Sequence, residues 1–117
     1  MAYYTIAHFL QGNLDGSIPG QLGIKMEDLK FTPEHEQSFW DFIFLGKEYL
    51  GKIPMSKMNR MRDEFLYWYP MNLRCSGKDL IKNHLTMSLF NHAAIWEDEP
   101  DKWPRGYYCN GYILVEG

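Results

Sequence analysis

With 117 residues, 45% of them hydrophobic and 16% aromatic, the chain carries enough apolar material for one packed domain and too much for a disordered tail. Its formal net charge of −3 leaves no basic surplus, which argues against a general RNA-binding module. No apolar run is long enough to span a membrane, the opening residues lack a signal-peptide pattern, and two cysteines, Cys75 and Cys109, make no disulfide framework.

Residues 1–11 read as a helix in which Tyr4, Ala7 and His8 share one face beside Phe9 and Leu10, with Gly12 as its stop. Core packing is the plain assignment for His8. Residues 12–31 read as a connecting loop, punctuated by Gly12, Gly16, Pro19, Gly20 and Gly23, with one short turn over 26–29. A clearer helix opens at Thr32-Pro33-Glu34, where Thr32 is the cap and Pro33 the first helical residue. Phe39, Trp40, Ile43 and Phe44 form its apolar face, and Gly46 ends it.

Residues 46–55 make a second connection. Ser56 is expected to cap the next helix, whose buried face is Met58, Met61, Phe65 and Tyr69. Lys57, Arg60 and Arg62 mixed with Asp63 and Glu64 read as its solvated side. Pro70 stops this helix and leads into a strand over 71–75, where apolar and polar side chains alternate. Ser76 and Gly77 are expected to break the strand, Gly77 by taking backbone angles closed to other residues. Asp79 follows in the turn. From 80 to 96 the period becomes helical, with Leu85, Leu89 and Ala93 every four residues, flanked by Phe90, Ala94 and Ile95, and Asn83 as the candidate cap.

A strand, a glycine and a helix N-terminus are the parts of a nucleotide site in an α/β sheet. Gly77 allows close approach, Asp79 two residues on suits ribose hydroxyls, and the His84 imidazole can face the same cleft. The plainer reading is a strand end, a turn, a capping Asp and a histidine satisfied in the core, and short motifs match falsely often enough to favour it when taken alone. A phosphate-binding P-loop at Gly77-Lys78 is excluded, because Asn72 and Asp79 stand where its first Gly and its Ser or Thr belong.

Residues 97–101 form an acidic loop without the glycine or ordered oxygen spacing of a cation site. Residues 105–109 read as a second strand, Asn110-Gly111 as a turn and 112–115 as a return strand. Strand, helix and strand together predict a crossover, with two parallel strands and the helix on one face. Both cysteines fall in the predicted strands, where buried reduced thiols are common. A zinc site from Cys75, His84, His92 and Cys109 lacks any close cysteine pair, so no metal ligands are assigned.

The run WYP-x-x-LR-x-SGKDLI-x-NHLT, followed by NHAAIW, resembles the eukaryotic and archaeal type of leucyl-tRNA synthetase, a class I aminoacyl-tRNA synthetase. The opening MAYYTIAH, and DKWP followed by Asn110-Gly111, resemble the same family in the same order. The chain departs from the family pattern at Asn72, Lys82 and Tyr112, where Asp, Pro and His are usual.

The resemblance implies an α/β fold, the second half (1–117) of a Rossmann-like, HUP-type catalytic domain: two parallel strands, a short return strand and about four helices. It places this half between the editing insertion and the KMSKS loop, with HIGH upstream and KMSKS just past Gly117. The parent enzyme it implies is cytoplasmic, activates leucine with ATP and Mg2+ and acylates tRNA(Leu). By the same resemblance no catalytic residue lies in this chain. Gly77 lies close to the adenosine, Asp79 binds the ribose hydroxyls, His84 faces the adenylate, and Ser76 and Lys78 stand beside them. The opening helix borders the aminoacyl-adenylate site, with Tyr3 and Tyr4 in the leucine/adenylate pocket, against a plain alternative in which both pack in the core. Alone, such a half is expected to be inactive and to self-associate through its uncovered sheet edge. The alternatives are a non-catalytic remnant serving as an interaction module, or an unrelated small nucleotide-binding domain.

Overall fold

The computed structural model describes residues 1–25, 27–28 and 32–116. The chain divides into two compact units, Met1–Trp68 and Tyr69–Gly117.

In the first unit the expected opening helix is two pieces, a 3-10 turn at Ala2–Thr5 and a short α1 at Ala7–Leu10. They meet at Ile6, whose φ of −120° interrupts the helix. The interruption changes which side chains point inward. Ile6, Phe9 and Leu10 are buried, whereas Tyr4 is 80% exposed and His8 is half-exposed beside Glu64, not in the core. The glycine-rich stretch then folds back on α1. Gly20, Gln21 and Leu22 donate their N–H groups to the carbonyls of Leu10, His8 and Phe9, which a helix end leaves unpaired. A Cβ at Gly20 would lie 2.4 Å from the Phe9 carbonyl, so the approach requires glycine. Buried Ile24 anchors this loop. Of the turn expected over 26–29, Met26 and Leu29 lie outside the described residues, while the Asp28 N–H bonds the Lys25 carbonyl.

α2 spans Pro33–Leu45 with the expected ends: Thr32 Oγ1 accepts from the His35 N–H, and Gly46 takes a left-handed φ of 71°. α3 spans Met55–Trp68. Ser56 is inside it and does not cap it; the Pro54 carbonyl receives the N–H groups of Lys57 and Met58 instead. Phe39 and Ile43 of α2 and Met58, Met61 and Phe65 of α3 have no exposed surface. Burying each such side chain stabilises by about 1.5–3 kcal/mol, so the α2–α3 pairing dominates this unit. Arg62 departs from the solvated role expected of it. Its Nη1 donates to the carbonyls of Phe42 and Ile43 at 3.2 and 2.9 Å, closing the C-terminus of α2.

In the second unit β1 (Arg74–Gly77) pairs with β2 (Tyr107–Asn110) in parallel, in the register Arg74↔Tyr107 to Gly77↔Asn110. The crossover therefore forms as expected, but the first strand is displaced from 71–75. Ser76 and Gly77 do not break it; they are its last two residues, because their partners Cys109 and Asn110 lie alongside. The return strand over 112–115 does not form. Ile113, Leu114 and Val115 are 84–91% exposed, and none of the described residues pairs with them. An apolar run of high β-propensity still needs a neighbouring strand to become one.

The helix expected over 80–96 is also composite: a 3-10 turn at Lys78–Leu80, a π turn at Ile81–Leu85 and α4 at Thr86–Ile95. Asn83 sits inside the π turn, its side chain bonding the His84 N–H, so it caps nothing. Leu85, His92 and Trp96 are buried, while Leu89 and Phe90 are exposed, so the four-residue apolar repeat does not mark the inner face. The reason lies with Tyr69. Its buried ring stacks on His92 and tilts against Trp96, and this cluster decides which side of α4 turns inward. The His92 Nδ1–H donates to the Ser88 carbonyl at 2.7 Å, leaving Nε2 to accept from the Tyr69 hydroxyl at 3.0 Å. Trp103 Nε1 donates to the Trp96 carbonyl and closes the helix end.

The described chain is thus mixed helix and strand, with a two-stranded parallel sheet and four α-helices. Among the described residues no helix is long and apolar enough to cross a membrane.

Candidate functional site

Both parallel strands end on the same side of the second unit. There the backbone opens a cleft of about 390 Å³, lined on one side by Cys75, Ser76 and Gly77 of β1 with Asp79 of the turn after it, and on the other by Asn110 of β2 with Gly111, Tyr112 and Ile113 beyond it. The carboxyl ends of parallel strands are where ligands of α/β proteins gather, because N–H groups there are not consumed by the ladder.

Gly77 does not serve the purpose its sequence suggests. Its φ of −77° and ψ of 153° are open to any residue. What it supplies is space, since a Cβ there would stand 2.5 Å from Asp79 Oδ1. The 3-10 turn over Lys78–Leu80 brings the exposed Asp79 carboxylate back over the glycine and into the cleft. Lys78 points elsewhere. Its ammonium lies 4.5 Å from the centre of the Tyr112 ring, within cation–π range. Across the cleft the Asn110 side chain bonds the Gly111 carbonyl at 2.7 Å, shaping the turn that follows β2.

Of the residues expected in the site, the structure brings Ser76, Gly77 and Asp79 into one cleft wall, with Lys78 on the ring of Tyr112. His84 is exposed in the π turn and is not among the lining residues. Tyr3 and Tyr4 belong to the first unit. The Tyr3 hydroxyl donates to the Gln11 side chain, its ring meets Trp40 edge-on, and partial burial raises its pKa. Tyr4 lines a shallow groove with Thr5, His8, Glu64 and Trp68.

Cys75 is exposed rather than buried and lines the cleft. Both ring nitrogens of His92 are engaged by Tyr69 and Ser88, which removes it from the zinc set considered above. Among the described residues no group of three His, Cys, Asp or Glu side chains is placed to hold a metal ion. In the acidic loop Asp101 pairs with Lys102 at 2.9 Å, a hydrogen bond that holds its carboxyl below the usual range.

Sequence reasoning missed the second wall of the cleft. Asn110, Gly111 and Tyr112 read as a hairpin turn and the start of a return strand. Parallel pairing of 74–77 with 107–110 makes them the facing loop, and only that register reveals it.

No family model matches the chain. Comparison with curated proteins gives relatives over its whole length. It is 41% identical over 118 residues to a protein named cytoplasmic leucine–tRNA ligase from Pongo abelii, covering 98% of this chain and 10% of that protein. The cytoplasmic leucine–tRNA ligase of Dictyostelium discoideum is 42% identical over 120 residues, covering all of this chain and 10% of its own length. The leucine–tRNA ligase of Archaeoglobus fulgidus is 43% identical over 123 residues, again covering all of this chain and 11% of its own. By sequence the chain is kin to the tRNA ligases. The particular family is the leucyl-tRNA synthetases of cytoplasmic and archaeal type, and the chain corresponds to one segment of them, about a tenth of their length.

Proposed function

We propose that the chain is a segment of the ATP-binding, leucine-activating catalytic domain of a leucyl-tRNA synthetase, the second half of a Rossmann-like fold. The observation that carries this reading is the cleft at the carboxyl ends of β1 and β2, with Ser76, Gly77 and Asp79 in one wall, in a chain that matches leucine–tRNA ligases throughout. Within it Asp79 accepts hydrogen bonds from the ribose hydroxyls, and the missing side chain at Gly77 leaves room for that carboxylate. Ser76 contributes a hydroxyl at the same edge, Lys78 brings its charge over the Tyr112 ring, and His84, which is not among the lining residues, is assigned to the adenylate side.

In the parent enzyme, leucine and ATP form leucyl-adenylate, and tRNA(Leu) then takes the leucyl group. Charge stabilisation at the α-phosphate drives the first step, with magnesium entering on the nucleotide. Tyr3 and Tyr4 are assigned to the leucine pocket. The setting is the cytoplasm, in keeping with the names of two relatives. The 117-residue chain binds nucleotide without completing the reaction.

Calorimetric titration of the chain with ATP and with a non-hydrolysable leucyl-adenylate analogue tests this reading. Asp79→Ala is expected to weaken both at least tenfold, and bound nucleotide is expected to slow alkylation of Cys75, which is exposed in the same cleft. An absence of binding to the unsubstituted chain would refute a nucleotide site in this segment and favour a non-catalytic remnant.

A further inference from the structure

We propose that Tyr112 is the stacking platform for the nucleotide base, with Lys78 fixing its ring from the far side; this rests on the nucleotide reading of the same cleft. Three observations meet here. Tyr112 and Asp79 line the same cleft from its two walls, so an aromatic ring and a ribose-binding carboxylate border one space. The Lys78 ammonium stands 4.5 Å from the ring centre and occupies one face. The residue is nonetheless 71% exposed, so its opposite face is open to a ligand.

The chemistry of the pair favours a purine. A cation over one face of an aromatic ring draws electron density toward itself and leaves the other face a better partner for an electron-rich ring. The same contact limits the ring's rotation, which lowers the entropy lost when a base stacks on it. Gly111, beside Tyr112, has open space around the position of a side chain, so nothing there obstructs the base.

Calorimetry with adenosine, ATP and inorganic tripolyphosphate separates the contributions. Tyr112→Ala is expected to weaken adenosine and ATP by about five- to hundredfold, the usual effect of removing one base–aromatic stack, and to leave tripolyphosphate unchanged. Tyr112→Phe is expected to restore most of the lost affinity, because the face and not the hydroxyl is used. Lys78→Gln is expected to weaken both ATP and tripolyphosphate. Both side chains are exposed, and circular dichroism of each variant checks that it folds. Equal adenosine affinity in the unsubstituted chain and in Tyr112→Ala, with Asp79→Ala still impaired, would overturn the stacking role alone. Failure of the unsubstituted chain to bind adenosine or ATP would overturn the nucleotide reading and this inference with it.

Discussion

Gly77 and Asp79 act as one unit, because the carboxylate occupies the volume a side chain at 77 would need. Gly77→Ala is therefore expected to displace the carboxylate, weakening ATP by about tenfold, while stability changes by less than about 0.5 kcal/mol because Asp79 is exposed and free to move. Titration calorimetry and urea unfolding read the two effects separately. The buried Tyr69–His92 hydrogen bond is the opposite case, a structural bond between residues that are not part of the cleft lining. Tyr69→Phe leaves His92 Nε2 without its donor and is expected to cost about 1–3 kcal/mol in urea unfolding. The same residue sets a pH limit. Burial first, and the nearby Tyr107 second, push the Tyr69 hydroxyl from 10.0 up to about 12. The folded state resists forming the phenolate that the unfolded chain forms readily. Its contribution is thus complete below pH 10.0 and is lost as the pH rises toward about 12. Unfolding followed across that window is expected to show this decline in the unsubstituted chain and a shallower one in Tyr69→Phe.

At the scale of elements, short helices here are stabilised by what closes their ends more than by propensity. α1 has only four residues, too few to persist alone, and depends on the glycine-rich loop that returns N–H groups to its carbonyls. Gly20→Ala places a methyl against the Phe9 carbonyl and is expected to destabilise the first unit by about 1–3 kcal/mol, read as a lowered midpoint in urea. The regularity of glycines in this loop was visible in the sequence. Its purpose was not, because a loop's hydrogen-bond partners lie ten or so residues away and carry no local signal. α2 shows the reverse: Thr32, Pro33 and Gly46 marked both of its ends, since caps are local chemistry. Ser56 shows the limit of that logic, because Pro54 supplies a competing start one residue before α3 begins.

At the scale of the molecule, the sheet among the described residues has two strands, and Ile113, Leu114 and Val115 lie exposed after it in the chain. Unpaired edges and apolar β-prone runs associate, so the isolated chain is expected to form oligomers at micromolar concentration, with Leu114→Lys shifting it toward monomer in sedimentation velocity. A monomer at all concentrations would show that these residues are not the adhesive surface. The sequence by itself determined the existence and order of most elements, the parallel crossover, and kinship with leucine–tRNA ligases, because capping, periodicity and motif order are carried by neighbouring residues. It also singled out Ser76, Gly77 and Asp79. Only the tertiary structure decided that β1 runs through Gly77, that Tyr69 selects the inner face of α4, and that Tyr112 lines the cleft. Each of these depends on strand register or on packing between residues distant in the chain, where the partner's position, and not the local pattern, sets the free energy.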